Sequence, residues 1–224
     1  MAFKHRGLRW SLQVGVARAR KGALRHMVLM GEGSTNRART RSHAKRQVMA
    51  RLIFGMNQSL DGYVDHQAFG PSPRLFEHFI EQTRRQSGCI YGRKLYEIMA
   101  YWAEGQADWG EAETAFAMAW RNQHKWVASK TLKSVGPNAT LIDGDLAQAV
   151  LAIKSKEPGE IEVGCPDLAR SLAQAGLIDE YRIYLHPVVV GGGAVFFKGH
   201  EPRLRLVGSE PVDGEVLKLT YAPL

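Results

Sequence analysis

The sequence predicts an α/β fold with a mostly parallel sheet and an antiparallel end, and three observations carry that prediction. From Arg51 onward, short apolar runs alternate with segments whose apolar residues recur three and four positions apart, the pattern of strands alternating with amphipathic helices. Strands separated by helices pair in parallel. Towards the C-terminus the alternation stops, and Leu204 to Val207 and Val216 to Tyr221 flank Asp213-Gly214 as an antiparallel pair.

Arg51 to Met56 (RLIFGM) reads as the first strand, and Leu60-Asp61-Gly62 supplies turn chemistry before a short continuation at Tyr63 to Asp65. Ser72 is placed to cap a helix whose first turn holds Pro73: a serine oxygen accepts an orphan N–H, and proline lacks one. Leu75, Phe76, Phe79 and Ile80 give that helix an apolar face. Gly88 to Tyr91 follows as a buried strand, then helices over Arg93 to Ala100 and Gly110 to Arg121, the latter with Phe116 and Trp120 four apart. Lys125 to Ala128 and Thr140 to Ile142 are strands, Asp145 opens a helix carrying Leu146, Ala149, Val150 and Ile153, and Ile161 to Val163 is a strand. Pro166 starts the next helix, and Glu180 to Val190 reads as one long strand.

The net charge of +8 sits in one segment. Residues 1–51 hold 13 lysines and arginines against one acid, Glu32, whereas residues 52–224 hold 17 against 21 acids. The basicity therefore belongs to an extension, residues 1–49, and nucleic acid is expected as a partner only through it. With little aliphatic periodicity, that extension has too little apolar surface to offset its ordering entropy, so disorder is expected. Three readings compete: an Arg-rich targeting peptide, a basic arm for anionic surfaces, or translated sequence upstream of the true start. The last is favoured, because Met49 begins MARLIFGMNQSLDGY and a start there leaves the domain at residues 50–224 with no extension. No apolar run approaches the roughly 18 to 20 residues that span a bilayer, so no membrane partner is expected. Cys89 and Cys165 lie in apolar settings, which suits a reducing, cytoplasmic location better than a disulfide framework.

Sheets of this kind bind ligands where strands end and helices begin, because free N–H groups and the positive helix end face outward there. In Ile90-Tyr91-Gly92-Arg93-Lys94, Gly92 permits close backbone approach, Arg93 offers a planar fork to a phosphate and Lys94 adds a point charge. Plain solvation of both cations is the alternative, but the helix dipole disfavours them at a helix start, which points to an anion. In Ala128-Ser129-Lys130-Thr131 two hydroxyls flank a cation, a set that suits a phosphate monoester and also makes an ordinary turn. In Val163-Gly164-Cys165-Pro166-Asp167, Gly164 and the small Cys165 let a pyrophosphate rest near a helix N-terminus, although no G-x-G-x-x-G is present.

In chain order, MARLIFGMNQSLDGYV, IYGRKLYE, KWVASKTL and EIEVGCPDLARSLAQAGLIDEYRIYLHPVVVGGGAVFF resemble the dihydrofolate-reductase-like superfamily. The closest likeness is to the reductase domain of bifunctional riboflavin-biosynthesis proteins and its stand-alone bacterial relatives, over nearly all of residues 50–222. The resemblance implies a central sheet of about eight strands flanked by helices, NADPH as cofactor, a homodimer, and hydride transfer to a small heterocyclic or carbonyl-like acceptor. By that likeness Gly92, Arg93 and Lys94 lie along the cofactor phosphates, and Ser129, Lys130 and Thr131 hold the adenosine 2′-phosphate. Gly164, Cys165, Asp167, Leu168 and Ala169 border the pyrophosphate and nicotinamide, and Asn57, Ser59, Leu60 and Asp61 form the loop over nicotinamide and substrate. The family usually has Gly-Gly where this chain has Gly164-Cys165, and the second glycine tolerates backbone geometry that a side chain resists, so a narrowed cofactor site is expected. A nucleotide-binding or regulatory module without turnover is the alternative. The H-x-E and P-C-x-x-C zinc signature of a deaminase is absent, so a riboflavin role requires a separate deaminase.

Hydride transfer asks the protein mainly for alignment and exclusion of water. Asp61 is the best-placed carboxyl to deliver a proton or anchor substrate, although Asp-Gly is also ordinary turn chemistry. His186 reads as a satisfied core histidine, and the histidines and cysteines show no metal-ligand spacing.

Overall fold

A computed structural model of the protein describes residues 49–64 and 69–224. The expected basic extension lies outside the described residues apart from Met49, and so does Asp65. In chain order the elements are β1 (Arg51–Gln58), α1 (Pro73–Arg85), β2 (Gly88–Gly92), α2 (Arg93–Met99) with a 3₁₀ turn at Ala100–Ala103, α3 (Glu111–Asn122), β3 (His124–Ala128), β4 (Ala139–Ile142), α4 (Leu146–Lys156), β5 (Glu160–Val163), α5 (Pro166–Gln174), β6 (Glu180–Leu185), β7 (Leu204–Pro211) and β8 (Leu217–Pro223). The strands form one sheet in the order β4-β3-β2-β5-β1-β6-β8-β7. The first six are parallel, and β8 runs antiparallel to β6 and β7 on either side.

The expected start signals operate through the expected atoms. Ser72 Oγ accepts from Leu75 N at 3.1 Å ahead of Pro73, and Asp145 Oδ1 accepts from Gln148 N at 2.9 Å, each satisfying an orphan donor of the first turn. Strand alternation then sorts side chains between two faces. Leu52 and Phe54 of β1, Ile161 and Val163 of β5 and Tyr181 and Ile183 of β6 pack with Val150 of α4 and Ala169 and Leu172 of α5. On the opposite face, Cys89 and Tyr91 of β2 pack with Ala117 and Trp120 of α3, and Tyr184 packs with Leu75 of α1. Cys89 is the small buried hydrophobe expected, its thiol pushed by burial up to about 12 and so inert. Lys125 is buried too: its Nζ donates to Trp120 O and Arg121 O, closing the C-terminal end of α3, and burial lowers its pKa to about 8.

Two expected strands are shorter in the fold. The run from Glu180 stops at Leu185, because Pro187 has no N–H for a ladder; instead Val188 N donates to His186 O at 2.8 Å in a tight turn, and Val188 O accepts from Leu60 N at 2.8 Å. Among the described residues, the continuation after the first turn holds one bridge, Tyr63 with Val195. Among the described residues, no helix is long and apolar enough to cross a membrane.

Candidate functional site

Because β1 to β6 run the same way, apart from their sequence order, all their C-terminal ends lie along one edge. Reading across the sheet, that edge carries Ser129-Lys130, then Gly92 to Lys94, then Gly164 to Leu168, then Asn57 to Asp61, then His186. At about 4.8 Å per strand, the step from β3 to β1 is about 14 Å. The three anion junctions and the first loop thus form a row, although they are scattered over more than 100 positions of chain.

At the outer end, Ser129 Oγ accepts from Thr131 N (3.2 Å) and Leu132 N (3.0 Å), the ordinary turn that the sequence also permitted. Ser129 Oγ also lies 3.4 Å from Thr131 Oγ1, and either hydroxyl can donate to the other. Ser129 and the exposed Lys130 line a groove of about 690 Å³ with Leu132, Asp143, Gly144 and Leu146 at the start of α4; Thr131 is not among its walls. At the second junction Arg93 is engaged by both carboxylate oxygens of Glu97, each at 3.0 Å, so its fork is shared with its own helix, whereas Lys94 is exposed.

The third junction abuts the second, since β5 neighbours β2. A Cβ on Gly164 would lie 2.5 Å from both Leu95 Cδ2 and Tyr91 Cδ1, so packing against α2 and β2 by itself requires glycine there. Cys165 has φ −155° and ψ 154°, extended backbone open to any residue, so the strain expected of a side chain at this position does not arise. What the side chain does is occupy space. A Cβ on Gly92 would stand 3.6 Å from Cys165 Sγ, and the backbone amides of Leu168, Gly92 and Asp167 face that sulfur. The thiol sits among the N–H groups expected to meet a phosphate, and burial raises its pKa, leaving it protonated. Leu168 packs towards Gly92, and Asp167 is exposed and paired with Lys198 at 3.0 Å. Ala169 does not reach the edge: its side chain is in the core and its N–H donates to Cys165 O.

The first loop is organised from within. Ser59 is fully buried, its Oγ donating to Asp61 Oδ1 at 2.5 Å and accepting from Tyr63 N at 3.0 Å, so it holds the turn rather than meeting substrate. Asp61 Oδ1 also accepts from Val190 N (3.1 Å) and Oδ2 from Gly191 N (2.7 Å). The Ser59 hydroxyl, with the Gly191 and Val190 amides, lowers the carboxyl to about 2 despite some desolvation. An acid this strong is ionised at neutral pH and poorly suited to deliver a proton; Asp61 clasps the Val190-Gly191 segment, where Gly191 takes a positive φ of 80°. Leu60 is exposed, and Asn57 Oδ1 lies 3.0 Å from His186 Nε2.

A family model described as the RibD C-terminal domain matches residues 50–218. The chain belongs to the RibD C-terminal domain family. The uncharacterized protein YyaP of Bacillus subtilis (strain 168) is 25% identical over 180 residues, covering 76% of this chain and 94% of its own. A solved Shewanella sp. PV-4 protein described as a riboflavin biosynthesis protein aligns with TM-score 0.61 at 20% identity, over 78% of this chain and 99% of its own. Dihydrofolate reductase of Enterococcus faecalis, complexed with NADP(H) and RAB-propyl, aligns with TM-score 0.53 at 16% identity, over 77% of this chain and 96% of its own. The fold is therefore dihydrofolate-reductase-like, as expected.

In this RibD C-terminal domain the sequence reading missed a polar network beneath α1. Glu162, on the face of β5 opposite Ile161 and Val163, accepts from Gln82 Nε2 (3.0 Å) and Gln86 Nε2 (2.6 Å). Gln82 Oε1 accepts from Tyr184 OH at 2.5 Å, Tyr184 OH lies 3.0 Å from His78 Nε2, and Gln86 Oε1 accepts from Gln123 Nε2 at 3.0 Å. The missed signal was alternation itself: with Ile161 and Val163 facing one core, Glu162 must face the other and needs donors there.

Asp61→Asn is expected to loosen the clasp, because an amide cannot accept at both ends. Amide exchange at Val190 and Gly191 should rise about tenfold, read by hydrogen–deuterium exchange. Since the folded carboxyl value lies below the ordinary one, its stabilisation is present above about pH 4 and is lost as pH falls towards 2. The asparagine variant should lack that acid-side loss, and unchanged exchange would show the clasp to be redundant.

Proposed function

We propose that the protein is an NADPH-dependent reductase acting on a small heterocyclic or carbonyl-like acceptor. The observation that carries this reading is the row itself: cation-bearing junctions at the ends of β3 and β2, the α5 N-terminus at β5, then the loop after β1, in one line along the sheet edge. Family membership and the dihydrofolate-reductase-like fold support it. The residues fit an extended dinucleotide. Lys130 and the Ser129 hydroxyl would hold a 2′-phosphate beside the 690 Å³ groove, and Lys94, Arg93 and the amides of Gly92 and Leu168 would meet the bridging phosphates.

When bound, NADPH supplies the hydride; the chain supplies position and dryness. Leu60, Val189 and Val195, all exposed, give the loop ends beside β1 and β6 an apolar rim suited to closing over a ring. Cys165 is the tight point, and its sulfur among the backbone amides favours a second reading: a nucleotide-binding module of this fold that binds without turnover.

Calorimetric titration with NADPH and NADH separates the possibilities. NADPH is expected to bind selectively, Lys130→Ala to weaken it about tenfold while leaving NADH little changed, and Cys165→Gly to tighten both severalfold. If neither nucleotide binds, even in Cys165→Gly, the reductase reading falls. If NADPH binds but is never oxidised across an acceptor panel, the module reading stands.

A further inference from the structure

The connection from β6 to β7, residues 186–203, is the longest between elements among the described residues, and a loop of that length without regular structure usually serves a site. Its first half is tied down. Asp61 holds Val190 and Gly191, Val64 N donates to Ala194 O at 2.7 Å, Phe196 N donates to Gly62 O at 3.1 Å, and the Phe196 ring is buried against Phe54. The second half is not. Among the described residues, none from Phe197 to Pro202 makes a backbone hydrogen bond; the chain is next held where Leu224 N donates to Arg203 O at 3.0 Å.

Three contacts lay this strap against α5 and β6. Lys198 Nζ pairs with Asp167 Oδ1 at 3.0 Å, both residues being exposed. Phe197 and His200 set their rings against Tyr181 at centroid distances of 5.5 and 6.2 Å. Gly199, at a φ of 66°, passes over Arg170 so closely that a Cβ would stand 3.3 Å from Arg170 Cδ. Beneath the strap, Arg170 Nε and both ring nitrogens of His200 are sealed from solvent and have no hydrogen-bond partner. A polar atom in that position has lost water and gained nothing, so the contents of the closed strap oppose its closure. An exposed lysine–carboxylate pair is among the weakest of interactions. The strap is therefore shut by a weak latch, and the latch stands on the first turn of α5, where Asp167 is the second residue and its charge suits the positive helix end.

We propose that the Lys198–Asp167 pair is an autoinhibitory contact: the Asp167 carboxylate stands in for a phosphate, and the phosphates of a dinucleotide at the α5 N-terminus take Lys198 from it and release the strap. A pyrophosphate carries more charge than one carboxylate and repels Asp167, so the exchange of partners runs towards the ligand. Once Lys198 has moved, only ring contacts hold Phe197 to Pro202 down, and opening returns Arg170 Nε and the His200 nitrogens to water. Lys198 is thus a phosphate-binding residue, Asp167 its mask, and the strap the element that responds. The proposal rests on the reductase reading for placing the phosphates at α5, and goes beyond it in naming the residue that meets them and the contact that must break first.

The test uses the full chain, with hydrogen–deuterium exchange read over residues 197–203 and affinity read by calorimetry, for NADPH and for inorganic pyrophosphate. Saturating NADPH should raise exchange in the strap about tenfold. Asp167→Asn and Lys198→Ala should each raise it to a similar degree without ligand, since each removes the latch. Their affinities should part: Asp167→Asn binds NADPH severalfold tighter, having lost the mask, and Lys198→Ala binds it about tenfold weaker, having lost the phosphate contact. A merely structural ion pair would move both variants the same way. His200→Phe, which puts an apolar ring where the imidazole has no partners, should slow strap exchange about threefold and raise Tm by roughly 2 to 5 °C. NADPH binding with strap exchange unchanged, affinities that shift together in the two latch variants, or a His200→Phe protein that melts below wild type would overturn the proposal. Strap release by pyrophosphate in a protein that ignores NADPH would remove the reductase reading and leave this one standing; release by neither ligand overturns this one.

Discussion

Gly88→Ala is expected to destabilise the protein by about 2 to 3 kcal/mol, a fall in Tm of roughly 4 to 12 °C. A Cβ on Gly88 would lie 2.4 Å from Trp126 Cζ3 and 2.7 Å from His124 O. The carbonyl cannot retreat, because His124 is the register partner of Gly88 in the β2–β3 ladder, and Trp126 is itself buried in the core. Overpacking at such a point moves a strand rather than a rotamer. Gly105→Ala is the control: nothing lies within 4 Å of its Cβ position, and a change within about 0.5 kcal/mol is expected. Thermal unfolding followed by circular dichroism checks both, and a Gly88→Ala protein melting with the control would mean that the start of β2 is loosely packed.

The second large effect is expected at Glu162. Glu162→Leu removes the acceptor of two buried amides, Gln82 and Gln86, and an unsatisfied buried donor costs about 1 to 3 kcal/mol, giving about 2 to 6 kcal/mol by urea unfolding. Glu162→Gln keeps an oxygen in place and should cost much less. The pH dependence gives a second readout. Burial raises the carboxyl pKa, with Gln86 and Gln82 pulling it partly back, so the folded value stands above the unfolded one. The native state then holds the proton more tightly, and stability is greatest below the ordinary glutamate value of about 4.3 and declines as pH rises through the folded value. Wild type should lose more stability than Glu162→Gln between pH 4 and pH 7; an equal loss would show the carboxylate to be well solvated.

These two positions also mark the limits of the sequence. The sequence places Gly88 at the start of a buried strand and shows no reason for glycine, because the reason is Trp126, a residue 38 positions away brought beside it by the β2–β3 ladder. The sequence places Glu162 within the strand Ile161 to Val163 without a partner, and its partners Gln82 and Gln86 come from α1 and the residue that follows it. Local signals fared better: Ser72, Pro73, Asp145 and Pro166 start helices through contacts within one turn, and those contacts need nothing distant. The site shows the same division. Gly92, Ser129 and Gly164 were picked out at strand–helix junctions, but their order along the edge follows from crossovers that periodicity does not report.

By itself the sequence determined most of the helical and strand segments, that the sheet is mostly parallel with an antiparallel end, and where backbone and cations meet at strand ends. Each of these depends on residues within about one or two turns of one another. Only the tertiary structure decided that Asp61 clasps a loop 130 positions away, that Gly164 is required by Tyr91 and Leu95, that Cys165 occupies its cradle without backbone strain, and that the strand from Glu180 ends before His186 turns to Asn57. The physical reason is common to all four: a carboxylate, a missing Cβ, a thiol and an imidazole take their roles from the atoms that surround them. Those atoms are gathered by sheet pairing between segments far apart in the chain.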